Sequence, residues 1–402
     1  MAKNKEDRYA SAAEMMMALE ERVALLDTRP TVTLTTAAPL PGSPKWWWVA
    51  AAAMLLAGAF AIYEWWPAKG HVPDPQAYEL YLRGRRDIQE YTEHGFKQSV
   101  VDFKNAIQRD PEFAAAYAGL ADAYSYQAAF ELEPAKDVMP LAESNAARAI
   151  EKDPLTAEAY TALGIVALGY YWDLPLAEQR FQRALGINPK DAFTQHWLGH
   201  YYEQVGKWPE AVKQMQLAHE MDKLSPMYQE DLAWDLFVTR RNEDAVAQLR
   251  ETVGLAPEDP YAHALLALAL EATGKSAESL EQAQAAWKLP GNLLVAGTLS
   301  GIFSRLHRPD MAQDLLKQLE AAEKAGKYVT PLQFAMVHFA LGDKMKGMAR
   351  MTEAVKERCI NTSMNSSDPV FDIVREDAEF AALMNEMHVP RANWHDLPRY
   401  SK

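Results

Sequence analysis

An all-α fold built from stacked helix pairs is what this sequence predicts, and three observations carry the prediction. Blocks of apolar and small residues recur about 34 residues apart, starting near residues 114, 157, 192, 226, 260, 294 and 328. Each block opens with a segment of the form Leu-Gly/Ala-x-x-Tyr/Leu. It continues with a second segment whose alanines and large apolar residues recur every three or four positions, which sets them on one helical face. A proline commonly follows the second segment, as at Pro154, Pro189 and Pro257, where it stops the helix. A unit of this kind cannot bury its apolar face alone, so the stack is the folding unit.

The blocks run in order. "AYAGLADAY" leads to Ala142, Ala146, Ala149 and Pro154, and "AYTALGIVA" leads to Ala177, Phe181, Ala184 and Pro189. "QHWLGHYYEQVGKWPEAV" carries Leu198, Gly199 and Tyr202, then Ala211, Met215 and Ala218. "QEDLAWDLF" carries Leu232 and Ala233, then Ala245, Leu249 and Pro257. "HALLALALEATGKSAES" carries Leu266, Ala267 and Gly274, then Ser279, Ala283 and Ala286. Weaker units surround Gly301 and Gly342, and an earlier one has Ser99, Phe103, Ala106 and Pro111. This pattern resembles tetratricopeptide (TPR) repeats, about eight of them over residues 74–360, with small residues where the two helices cross and aromatics filling the gap to the next pair. The longer first interval is assigned to a protruding loop, "FELEPAKDVMP". Residues 361–402, with "DPVFDIVREDAEFAALMNEM", are expected to form capping helices and a tail.

Before the repeats the chain is of a different kind. Residues 1–26 hold a capping box at Ser11 and Glu14 and an apolar face of Met15, Met16, Leu19, Val23 and Leu26. "AKNKEDRYASAAEMMMALE" resembles the end of the C-lobe of bacterial serine/threonine protein kinases, with Lys5 where that family has proline. Residues 27–45 are a Thr/Pro-rich linker. Residues 46–66 carry no charge from Trp46 to Tyr63 and have aromatic belts at both ends, Trp46–Trp48 and Tyr63, Trp65 and Trp66. That pattern predicts a transmembrane helix, so the membrane is an expected partner through 46–66. The arrangement of kinase tail, spanning helix and repeats resembles the C-terminal part of bacterial receptor-type kinases. The resemblance implies a single-pass inner-membrane protein, its N-terminus cytoplasmic and its solenoid outside.

Composition narrows the function. Hydrophobic residues make up 49% and charged residues 24%, and the net charge of −14 falls almost wholly after residue 66. An acidic solenoid repels phosphate backbones, which excludes a nucleic-acid role. Cys359 is the only cysteine, so no disulfide or CxxC pair forms within one chain. The kinase Gly-rich loop, strand lysine, His-Arg-Asp loop and Asp-Phe-Gly are all missing, so no catalytic residue and no cofactor is assigned. Ala256-Pro257-Glu258 matches a kinase tripeptide only in letters, because the repeat register already demands that proline.

Two polar constellations remain. His196, His200 and Glu203 fall at i, i+4 and i+7 on one helical face and could hold a divalent metal, against the plainer reading of exposed residues sharing a face. The weak H-x-x-x-H spacing leaves the metal unassigned. By the resemblance, the second, fifth, ninth and twelfth positions of each first helix line a concave groove. Those positions are Asp122 and Ser125; His196, His200 and Glu203; Glu230, Trp234 and Phe237; and Tyr261 and Glu271. An acidic and aromatic floor of this kind is suited to a protein or peptide ligand with basic segments. The alternative for Trp234 and Phe237 is packing on the neighbouring repeat. The expected function is therefore a membrane-anchored interaction scaffold or sensor with no catalysis in this chain, and a homo-oligomer is compatible with it. One rival is a fragment of an active transmembrane kinase whose catalytic domain precedes Met1. The other is an assembly factor whose solenoid faces the cytoplasm.

Overall fold

The computed structural model describes residues 71–395. The segments 1–26, 27–45 and 46–66, with the kinase-tail and spanning-helix expectations placed on them, lie outside the described residues. Among the described residues no helix is long and apolar enough to cross a membrane. This corrects the expected single-pass location.

Among the described residues sixteen helices form eight antiparallel pairs. They are α1 (Pro75–Ile88) with α2 (Glu93–Arg109), α3 (Ala114–Ala129) with α4 (Ala135–Lys152), and α5 (Ala157–Ile165) with α6 (Leu174–Ile187). Next come α7 (Ala192–Gln204) with α8 (Trp208–Met221), α9 (Pro226–Val238) with α10 (Asn242–Leu255), and α11 (Pro260–Ala272) with α12 (Ser276–Lys288). The last pairs are α13 (Ala296–Arg305) with α14 (Pro309–Lys324) and α15 (Pro331–Ala340) with α16 (Lys344–Lys356), followed by the short α17 (Asn361–Met364) and α18 (Ala378–Glu386).

The local reasons are visible in the sequence. Asp74, Thr92, Asp173, Asp191, Asp259, Thr330 and Asp343 each accept a backbone N–H from the first turn of the following helix. Pro75, Pro226, Pro260, Pro309 and Pro331 open helices, where a missing N–H costs nothing. Each pair turns through one left-handed residue: Tyr91, Glu131, Trp172, Gly206, Arg240, Gly274, His307 and Gly342. The amide after Gly206 donates to Tyr202 O at 2.8 Å and the one after Gly274 to Leu270 O at 2.9 Å, closing the first helix with a Schellman turn. Small residues admit close crossings. A Cβ on Gly164 would lie 2.5 Å from the Phe181 ring, and one on Gly119 would lie 2.5 Å from Phe103.

The segment 130–140 corrects the expected protruding loop. Its second half is the first turns of α4, so the additional residues lengthen helices. Glu131 is buried and accepts hydrogen bonds from Thr330 Oγ1 (3.0 Å), Gln333 Nε2 (3.2 Å) and Asn361 Nδ2 (3.2 Å). The second repeat thus touches the eighth.

The C-terminal segment goes further than an end cap. It packs on the last repeat through Phe371, which meets Phe339 at 5.8 Å and Phe380 at 5.5 Å between ring centroids. It also crosses the concave side. Arg358 Nη1 donates to Tyr170 O (2.8 Å), Asn361 Nδ2 to Ala129 O (2.9 Å), and Asn393 Nδ2 to Gln204 O (3.2 Å). His388 Nδ1 bonds Trp172 O at 3.0 Å. Room is made by α5, which continues as a π-helical turn over Val166–Tyr171, where Gly169 receives Ile360. The segment thereby covers the inner face of α5 and the end of α7.

Candidate functional site

The inner face of α7 and α9 concentrates the acidic groups of the concave side. His196 is 2% exposed, and its Nε2 bonds Asp231 Oδ2 at 2.7 Å. His200, one turn on, places Nδ1 2.9 Å from Glu203 Oε2 and Nε2 3.6 Å from the same Asp231 oxygen. Burial alone would lower the His200 pKa, but the Glu203 and Asp231 carboxylates outweigh it and push it up to about 10. Burial and the neighbouring His200 charge hold His196 below the ordinary histidine value. Asp231 sits below the usual carboxylate range: burial opposes this, and its bonds to the two histidines prevail.

Two further carboxyls stand behind this cluster. Asp235 is fully buried, and burial, then the Glu203 charge, raises its pKa well above normal. Burial likewise raises Glu230 well above normal, with Asp259 as the next cause and its bonding partner. Tyr261 is half-buried beside these groups, its hydroxyl raised by burial and by the Asp231, Glu230 and Glu203 charges.

Other residues of the expected groove have different fates. Asp122 is buried and bonds Arg85 Nη1 at 3.0 Å; burial lifts its pKa to about 8 against the Arg85 charge. Ser125 donates back to Ala121 O at 3.0 Å within its own helix, so it offers nothing to a ligand. Trp234 and Phe237 stack at 5.7 Å between centroids inside the core shared with α10, α11 and α13, so packing occupies both rings. Glu271 Oε2 accepts from Arg305 Nε at 3.1 Å, which ties α11 to α13. The three residues expected to be exposed, His196, His200 and Glu203, are instead buried or nearly so, because α9 packs over them.

A cavity of about 250 Å³ opens beside the cluster, between α1, α3, α7 and the start of α9. Tyr91, Tyr126, Phe193 and Tyr228 form its walls, and Arg85, Asp122 and Asp222 supply charge. Phe193 stacks on Tyr126 at 5.2 Å, and His196 lies 5.1 Å from Tyr228. The groove register missed Asp231, Asp222 and Tyr228. His196 maps one repeat on to Glu230, yet the side chain that reaches it is the next residue, because α9 presents Tyr228, Asp231 and Asp235 (i, i+3, i+7) toward α7.

With this geometry in view, comparison with known proteins is informative about the fold. No protein-family model matches the chain, a kinase model included. The superposition on a monomeric IFIT1 mutant with Gppp-AAAA has a TM-score of 0.52 at 12% identity, covering 78% of this chain and 71% of that one. The superposition on the APC/C hetero-tetramer Cut9–Hcn1 has a TM-score of 0.50 at 14% identity, covering 77% and 55%. The fold is a TPR-type solenoid. Among curated sequences, anaphase-promoting complex subunit 3 of Schizosaccharomyces pombe is 26% identical over 194 residues, 48% of this chain. That match spans only 28% of the relative's own length.

Proposed function

We propose that this chain is a non-catalytic protein-interaction scaffold that takes an extended peptide bearing a basic side chain on its concave face. The carrying observation is the aromatic-walled cavity between α1, α3, α7 and α9. Its tyrosine and phenylalanine rings offer a cationic side chain π-faces, and Asp222, at the exposed mouth, offers a carboxylate. The protein's net charge of −14 draws basic segments toward it. Part of the expected groove is closed to a peptide in this conformation. Ser125, Trp234 and Phe237 are turned inward, and residues 357–395 lie across α5 and the end of α7.

A peptide array probed with the full chain tests this reading. Lysine- and arginine-containing peptides are expected to be retained, and Asp222→Lys is expected to weaken them about tenfold, roughly 1.4 kcal/mol. Circular dichroism should be unchanged, since Asp222 is exposed. Equal retention of basic and acidic peptides, or equal retention by the variant, refutes the site. One observation favours a second reading: the run before residue 26 that resembles a kinase C-lobe ending. In that reading the solenoid is the recognition part of a longer kinase. The intact mass of the protein from its own cells decides it, an excess of about 250 residues being the size of one added domain.

A further inference from the structure

We infer that His196, His200 and Asp231 form a binding site for one divalent cation of the zinc class, with Glu203 as the residue that orients His200. The three side chains come from two helices, α7 and α9, and their ligand atoms all lie within 4.8 Å of one another. Zinc bonds of about 2.0–2.1 Å in a tetrahedron hold their donor atoms roughly 3.4 Å apart. The His200 Nε2 to Asp231 Oδ2 separation is 3.6 Å and that of His196 Nε2 is 2.7 Å, so these two pairs straddle the zinc spacing. Two imidazoles with one carboxylate select zinc and its late first-row neighbours over magnesium or calcium, which prefer all-oxygen shells.

Two features point to a cation. Glu203 Oε2 bonds His200 Nδ1 at 2.9 Å, which holds a proton on Nδ1 and turns Nε2 toward Asp231. This carboxylate–histidine–metal relay is the usual outer support of a zinc ligand. Second, Glu203 Oε1 and both Asp235 oxygens are buried and receive no hydrogen bond. A dication takes the place of both Nε2 protons: that of His200 leaves to solvent, and that of His196, which now bonds Asp231, moves to the unpartnered Nδ1 of the same ring. The small exposed edges of His200 and Asp231, with side chains 13% and 14% exposed, give the ion its path in. Bound there, it would pin α7 to α9 and so fix Phe193 and Tyr228, two walls of the neighbouring cavity.

The test uses the full chain, stripped with a chelator and titrated with zinc against a chromogenic competitor, and separately with cobalt. One equivalent of zinc per chain is expected, together with the visible absorption of four-coordinate cobalt. Asp231→Asn and His196→Gln should each weaken zinc at least about 100-fold, and Glu203→Gln about 10–100-fold. Circular dichroism reports whether each variant remains helical, and Glu203→Gln, outside the ligand set, serves where a ligand variant does not fold. Absence of a stoichiometric equivalent in the wild type overturns the proposal, since the histidines would then be only an ion-paired cluster. Zinc binding that survives unchanged in Asp231→Asn and Glu203→Gln overturns it as well, because the ion would then sit elsewhere.

Discussion

Replacing Phe371 with alanine tests whether the C-terminal segment is held on the concave side as a separable unit. Phe371 is fully buried and lies against Phe339 and Phe380, in a cluster that also includes Trp172 from the third repeat and Leu332 and Met384. Truncating a buried phenylalanine to alanine costs about 3–5 kcal/mol, the upper part of the range applying where the surroundings cannot collapse. Rings on two sides favour the upper part here. Repeat stacks open locally, so the cost falls on the opening of this segment rather than on the whole chain. At about 1.4 kcal/mol per factor of ten, the open population of residues 361–395 should rise roughly 100- to 4000-fold. Native-state hydrogen exchange reads this directly. Protection should fall in α17, α18 and the Trp172 turn, while α9 to α12 keep theirs. Equal loss of protection across all helices would refute the separable segment, and so would no loss at α18.

Three further outcomes follow from the same structure. In chelator-treated protein, His200 contributes stability because its folded pKa, about 10, lies above the ordinary 6.5. That contribution is complete below about pH 6.5 and is lost as pH rises through about 10, so His200→Gln should flatten a urea-midpoint profile between pH 7 and 10. A profile with the wild-type slope would mean that other groups set it. Gly164→Ala should destabilise by about 1–3 kcal/mol, because its Cβ would lie 2.5 Å from a ring of Phe181 that cannot give way. Gly186→Ala, exposed in α6 with nothing within 4 Å, should raise stability by about 0.5–1 kcal/mol; a thermal melt showing both variants with the same sign of change would contradict the packing argument.

The repeat pattern was legible because it is local and periodic. Caps such as Asp191 and Asp259, opening prolines such as Pro226, and small residues such as Gly199 act within one helix pair, and a pair is described by about 34 consecutive letters. The groove register was legible only in part. Positions counted along one helix correctly grouped His196, His200 and Glu203, yet the ligand-like partner Asp231 is offered by the tilt of the next helix. The rings of Trp234 and Phe237 looked equally suited to a floor or to a core, and the neighbouring repeat's approach decided for the core. Expected exposure failed at His196 for the same reason.

By itself, then, the sequence determined that helices form, where they pair and which small residues let them cross, since each rests on contacts within a few turns. How far the stack curls was left to tertiary structure. That curl sums small rotations over eight repeats, and it brings Glu131 to Thr330 and Asn393 to the end of α7 across about 200 residues. Charge placement depended on it too, because burial raises Asp235 and Glu230 and the paired carboxylates hold the proton on His200. Burial is a property of what packs over a residue, and no local stretch of chain carries that information.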